Sequence, residues 1–342
     1  MSTPYAHLHA HPAGPNDARP TALQIIQDEN LIGAWPDRTI LITGATAGIG
    51  IETVRALYAT GSTIYLCARS LTKAEAVKTD IEGSGSNNGT GKIHILELSL
   101  DNLSSVRSAA AAFLAQSTKL DILINNAGIT SPTYQKTVDG HEILFGVHHL
   151  GPFLLTSLLT PALQAAATPE RASRVINVSS AAHNMYCEAQ IDLSDLDWSR
   201  REYNPLNAYG SSKTATILHA NALDRRFGTD PAHPVRGYSL HPGGIMTGLA
   251  TNAAPEDLAE WAKYKDIFKS VEQGAATTVW CAVAKGLEGG GGVYCEDCGV
   301  AEAASVGEDG QRRRDKGYAP WAMGDKKTEE ELWELSERLV GS

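Results

Sequence analysis

The chain has 342 residues, 42% of them hydrophobic, and a formal net charge of −10. A chain of this length can bury roughly 75% of its unfolded surface. Its acidity argues against a nucleic-acid surface: the longest basic run, Arg312-Arg313-Arg314, lies in a polar stretch and reads as a solvated face.

The five cysteines are scattered. Only Cys295 and Cys298 form a C-x-x-C, with no second pair or histidines at ligand spacing, so they read as structural thiols and no metal is expected. That usage, with no signal peptide, fits a reducing, cytoplasmic compartment. No run approaches 18 apolar residues, so no membrane span is expected.

The first 20 residues are rich in His, Pro and Ala and read as a disordered tail. Residues 21–37 follow as a short helix and linker, with Leu23, Ile25, Ile26 and Leu31 at near-helical spacing. From Arg38 a strand–helix alternation begins. Strands are expected at 39–43, 63–68, 92–98, 120–125, 174–179 and 235–241, apolar almost throughout as in a sheet buried on both faces. Helical patterns fall near 49–60, 70–82, 103–117, 140–166, 207–228 and 273–286. Between them GSGSNNGTG (83–91) reads as a flexible joint. Repeated strand–helix–strand units imply an α/β, Rossmann-type doubly wound parallel sheet flanked by helices, one domain over 38–300. Residues 301–342 form a C-terminal extension that ends in an amphipathic helix, 328–340, with Leu332, Leu335 and Leu339 on one face.

The turn TGATAGIG (43–50) follows an apolar strand and opens a helix, the context a nucleotide-binding turn needs. Gly44 serves the tight turn, Gly48 the approach of backbone to a pyrophosphate, and Gly50 the packing of helix on sheet. The free N–H groups of the helix start then face the phosphates, with Thr46, Ala47 and Ile49 beside them. The second strand ends in Ala68-Arg69. An acid there would bind a ribose 2′-hydroxyl, whereas arginine suits a 2′-phosphate, with Lys73 one helical turn on, so NADP(H) is expected over NAD(H). Asn125, Asn126, Ala127 and Gly128 leave the fourth strand at its ligand-binding end. Ser180 ends the fifth strand. Tyr209 and Lys213 are four residues apart, on one face of a helix. A phenol beside an ammonium can move a proton if its pKa is drawn from about 10 toward 7, which takes roughly 4 kcal/mol.

TGATAGIG, NNAG, NVSS, YGSSK and HPGGIMT, in this order and spacing, resemble the short-chain dehydrogenase/reductase family, over about 38–250. The long gap between Ser180 and Tyr209 looks like the retinol-dehydrogenase-like branch, and the flanks look like a fungal group of soluble oxidoreductases within it. The resemblance implies Tyr209 as catalytic acid/base, Lys213 on the nicotinamide ribose, Ser180 orienting a carbonyl, and Pro242, Gly243, Ile245 and Thr247 lining the carboxamide. The chain departs from the family twice. Ser99, next to Leu100, stands where an aspartate touches the adenine edge. His148 stands in FGVHHLG where the family has an asparagine that holds a relay water. A histidine there either relays a proton itself or fills the water's space.

The segments 181–207 and 246–270 should overhang the nicotinamide and carry specificity. Met185, Tyr186, Trp198, Tyr203, Met246 and Leu249, with Trp261 and Tyr264, imply an apolar, aromatic pocket for a hydrophobic small molecule, or else core packing. The reading is an NADP(H)-dependent oxidoreductase acting between ketone and secondary alcohol, with a secondary metabolite as substrate on family analogy alone. The alternatives are non-redox chemistry in the same pocket, kept open by His148, and a non-catalytic regulatory protein. Helices 140–166 and 207–228 could form the family's homodimer seam, or the C-terminal tail could cover it and leave a monomer.

Overall fold

The computed structural model describes residues 4–83, 91–187, 189–246, 262–307, 310–314 and 316–341, with no side-chain description at 262–264. The expected joint at 84–90, and Thr247, Leu249 and Trp261, lie outside the described residues, as does the side chain of Tyr264.

The strands are β1 (Thr39–Thr43), β2 (Thr63–Ala68), β3 (Lys92–Glu97), β4 (Ile122–Asn125), β5 (Ser173–Val178), β6 (Val235–Leu240), β7 (Val293–Glu296) and β8 (Gly299–Val300). They form one sheet in the order β3-β2-β1-β4-β5-β6-β7-β8. All pairs are parallel except β7 with β8. The order reverses between β1 and β4, where α/β sheets open a ligand crevice.

The helices are α1 (Ala6–His9), α2 (Ala22–Asp28), α3 (Ile49–Tyr58), α4 (Leu71–Gly83), α5 (Leu103–Leu114), α6 (Ile143–Phe145), α7 (Gly151–Ala166), α8 (Ala182–Met185), α9 (Pro205–Phe227), α10 (Val271–Gly274), α11 (Ala276–Val283) and α12 (Lys326–Val340). One core joins the sheet to α2, α3 and α11 through Ile25, Ile42, Val54, Leu57 and Val279. The other joins it to α5, α7 and α9 through Leu41, Phe113, Phe153, Leu159 and Leu218. The sheet is therefore covered on both faces, as its apolar central strands require. At the edge, β3 alternates between exposed and buried residues instead of being buried on both faces.

Two expectations change, and two features go beyond them. The first 20 residues are not a loose tail where described. Arg19 is 5% exposed and His9 8%, and α1 lies within this segment. The helix expected at 140–166 contains a turn of π-helix, Gly146–Leu150, between α6 and α7. This 143–166 stretch is long and apolar enough to cross a bilayer, but 83% of its most apolar window is buried inside the fold. The C-x-x-C belongs to a hairpin: Asp297 and Cys298, both with positive φ, form the two-residue turn between β7 and β8. All five cysteines are buried, and none forms a disulfide.

Candidate active site

Parallel pairing in register brings the ends of β1, β2, β4, β5 and β6 to one edge of the sheet. Thr43 lies beside Cys67, Asn125 beside Asn177, and Val178 beside Leu240. The glycine turn, Arg69, NNAG, Ser180 and the Pro242 turn therefore all leave the same edge.

The glycine turn is built so that backbone meets backbone. A Cβ on Gly44 would lie 2.5 Å from the Ala127 Cα, and one on Gly50 would lie 2.4 Å from the Gly44 carbonyl oxygen. Gly48 caps α3 with φ 54° and offers no side chain to the first helical amides, which stay available to an anion. Asn126 ties the turn to β4, donating from Nδ2 to the carbonyls of Thr43 and Gly44, both at 3.0 Å. Its buried Oδ1 has no protein partner. An open helix start and an unspent acceptor beside NNAG fit a dinucleotide. Arg69 and Lys73 are exposed at the end of β2 and the start of α4.

Tyr209 and Lys213 sit on α9, whose start is fixed by the Asn204 side chain accepting from the Asn207 amide and by Pro205 at its first position. The Tyr209 hydroxyl lies close enough to the Ser180 side chain for that side chain to pull its pKa down. Gly210 allows this closeness: a Cβ there would lie 2.7 Å from both the Ala182 carbonyl and Cys187 Sγ, so α8 and α9 could not meet. Lys213 is 3% exposed. Its Nζ donates to the Val178 carbonyl at 3.0 Å and lies 5.6 Å from the Tyr209 ring centre.

Burial sets the charges here. It pushes the Tyr209 phenol up to about 12, against the pull of Ser180. It also draws Lys213 down to about 7 from 10.5. A phenol poised near 7 is thus not a property of the protein alone, because desolvation weakens the very cation expected to lower it.

His148 lies in the π-helical turn, 4% exposed, its ring edge-on to Tyr209 at 5.5 Å. Its Nε2 accepts the Ile129 N–H at 2.9 Å, so Nδ1 carries the proton and donates to Ser212 Oγ at 2.8 Å. Ser212 in turn donates to the Tyr209 carbonyl at 2.7 Å. Burial first, and the Lys213 charge second, hold the imidazole well below its ordinary range. Both ring nitrogens are engaged, and a proton taken up at Nε2 would expel the Ile129 amide.

Ser99 donates to the carboxylate of Asp101, two residues on. The acid that the family pattern places at 99 is thus present beside it. Leu100 is buried, and its carbonyl lies where a Cβ on Gly151 would meet it at 2.7 Å.

The substrate-side residues divide. Tyr186 sits close enough to Tyr209 to raise its pKa further. Met185 and Met246 are 39% and 53% exposed. Trp198 and Tyr203 pack on each other at 5.3 Å, Tyr203 on Tyr134 at 5.4 Å, and the Tyr203 hydroxyl donates to Glu142 at 3.1 Å. Both rings pack against the same core cluster as Tyr209. Pro242, Gly243 and Ile245 form the turn after β6, with Gly243 at φ 104°.

His183 ties the loop after Ser180 to the C-terminal extension, a role that its place in the sequence does not show. The fully buried ring donates from Nδ1 to the Ser180 carbonyl at 2.7 Å and accepts the Ala319 amide at Nε2, 3.1 Å. No pattern in the sequence pairs residues 136 apart.

The geometry has counterparts in known proteins. A family profile described as short chain dehydrogenase matches residues 38–191. The chain is 43% identical over 339 residues to the short-chain dehydrogenase/reductase prx1 of Penicillium roqueforti, covering 98% of this chain and 94% of that one. This chain is a short-chain dehydrogenase/reductase. This short-chain dehydrogenase/reductase is also 38% identical to retinol dehydrogenase 12 of Mus musculus, over 90% of its own length and 87% of the relative's. Among solved structures it resembles an uncharacterised protein from Mycobacterium paratuberculosis, with a TM-score of 0.66 and 32% identity, over 92% and 97% of the two chains. The family is one of oxidoreductases that use a nicotinamide cofactor.

Proposed function

We propose that the protein is an NADP(H)-dependent oxidoreductase that interconverts a ketone and a secondary alcohol on a hydrophobic small molecule. The observation that carries this reading is the contact of Ser180, Tyr209 and Lys213 at the sheet edge beside the glycine turn. Bound NADPH would supply the hydride. Arg69 and Lys73 would hold its 2′-phosphate, Thr46 to Gly50 its pyrophosphate, Asn125 to Gly128 its adenosine side, and Lys213 the nicotinamide ribose. Ser180 holds the substrate oxygen. Tyr209 gives that oxygen its proton, and the protonated Lys213 offsets the charge left on the phenol. His148, neutral and doubly bonded, fills the space beside Lys213 and fixes Ser212 under Tyr209.

Met185 and Met246 are exposed and Tyr186 lies near Tyr209, which favours a lipophilic substrate such as a secondary metabolite. Five cysteines outside disulfides support a reducing, cytoplasmic setting. The protein acts as a monomer in this reading, because α12 lies along α9 and α7. Trp333 packs on Phe153 at 4.9 Å, and Glu329 and Glu330 pair with Arg225 and Arg226.

Parallel titrations with NADPH and NADH, followed by nicotinamide fluorescence, test the reading. NADPH should bind the more tightly, and Arg69→Glu should reduce that preference by about tenfold or more. Binding of neither cofactor by folded protein would refute it.

A further inference from the structure

Residues 14–19 of the N-terminal segment are stitched to one stretch of the chain. The Arg19 guanidinium donates to the carbonyls of Ile267 at 2.8 Å, Phe268 at 2.6 Å and Gly14 at 3.1 Å, and to Asp17 at 2.8 Å. The Gly14 amide donates to the Asp266 carbonyl at 2.8 Å. Gln273 completes the seam, donating to the carbonyls of Asp17 at 3.1 Å and Arg19 at 3.0 Å while its Oε1 accepts the Asn16 amide. Residues 14–19 are thus closed onto 266–273.

The next residue in that stretch is Lys269, whose side chain is 4% exposed. Its amide donates to the Gly244 carbonyl at 2.8 Å. Its Nζ reaches Asp297 at 2.9 Å and the Pro242 carbonyl at 3.4 Å. Its stem lies flat against Gly243, where a Cβ would be 2.7 Å from Cδ. Asp297 also takes His9 Nδ1 at 3.1 Å. Burial alone would raise that carboxyl, but the His9 hydrogen bond and the Lys269 charge hold it well below the usual carboxylate range. On the other side of the turn, Ile245 and Ile49 both line the place where a Cβ on Gly274 would fall, so the turn also abuts the start of α3.

We infer that Lys269 is a positioning residue for the Pro242–Ile245 turn, held there by Arg19 and His9 of the N-terminal segment, so that the segment sets the nicotinamide end of the cofactor site and not the adenosine end. A buried ammonium anchored to a carbonyl and a carboxylate fixes both distance and direction, which an apolar filler cannot do. The inference rests on the cofactor reading above. It gives the N-terminal segment a role at the site through Asp297 and Lys269.

The test compares a whole ligand with half of it. NADPH and 2′,5′-ADP, which lacks the nicotinamide, are titrated into full-length wild type, Lys269→Met and Arg19→Ala, with thermal unfolding in parallel. Lys269→Met should weaken NADPH by about tenfold and leave 2′,5′-ADP within about twofold. Arg19→Ala should show the same pattern to a smaller degree, which keeps the test alive if Lys269→Met does not fold. Equal losses for both ligands would reduce the network to general stability and overturn the inference. Unchanged NADPH affinity in both variants would overturn it too. Wild type that binds neither ligand would instead refute the cofactor reading, and the inference with it.

Discussion

Lys213→Met should stabilise the cofactor-free protein while destroying its activity. In the fold Lys213 gives up its proton near pH 7, and in the unfolded chain at its ordinary 10.5. Between those values the unfolded chain binds the extra proton, so wild-type stability rises with pH across that window. Below about pH 7 both states are charged, and the full penalty, roughly 5 kcal/mol, weighs on the fold. Above 10.5 it vanishes. Methionine carries no such penalty, so the variant gains roughly 4 kcal/mol at pH 7 and roughly 2 kcal/mol at pH 9. Against this, the Val178 carbonyl loses its donor at 3.0 Å, a cost of about 1–3 kcal/mol that does not change with pH. The informative quantity is therefore the difference between the two pH values, roughly 2 kcal/mol. Urea unfolding of both proteins from pH 6 to pH 9 measures it. A constant offset at every pH would show that burial does not depress Lys213, and the electrostatic account of the site would fall.

Gly210→Ala should push α8 off α9 and part Ser180 from Tyr209, lowering kcat by about tenfold or more while NADPH affinity stays near wild type. An unchanged kcat would count against that packing. His148→Asn should leave the pH–rate profile around neutral pH without any lost or gained limb, because burial and then the Lys213 charge hold the imidazole well below its ordinary range. Disappearance of a limb in that range would restore His148 as a proton carrier. Trp333→Ala, at a 6% exposed site against Phe153, His219 and Phe227, should cost about 3 kcal/mol in chemical unfolding. Wild type should sediment as a monomer, and a stable dimer would contradict α12 as the cover of α7 and α9.

The parallel core was legible because its strands are apolar runs bounded by glycine and polar turns, and β1, β2 and β4 to β6 fall within two residues of expectation. The pairing of Tyr209 with Lys213 was legible because helical period alone puts them on one face. β7 and β8 were not, because their turn is Asp-Cys with positive φ at both residues, without the glycine that announces such a hairpin. Nor was the docking of the N-terminal residues. A low-complexity composition predicts little burial, and what holds Arg19 is a set of backbone carbonyls some 250 residues away, which leave no trace in composition. The depression of Lys213 likewise depends on how tightly neighbours exclude water, a property of packing and not of spacing.

The bond from His183 to Ala319 also sets an order of events during synthesis. Ser180, Tyr209 and Lys213 all leave the ribosome before Ala319 does. Until then the imidazole that holds the Ser180 carbonyl lacks its second partner. A nascent chain that has already paired β1 to β6 still lacks this tie on the loop after Ser180, which forms only once Ala319 has folded back against His183.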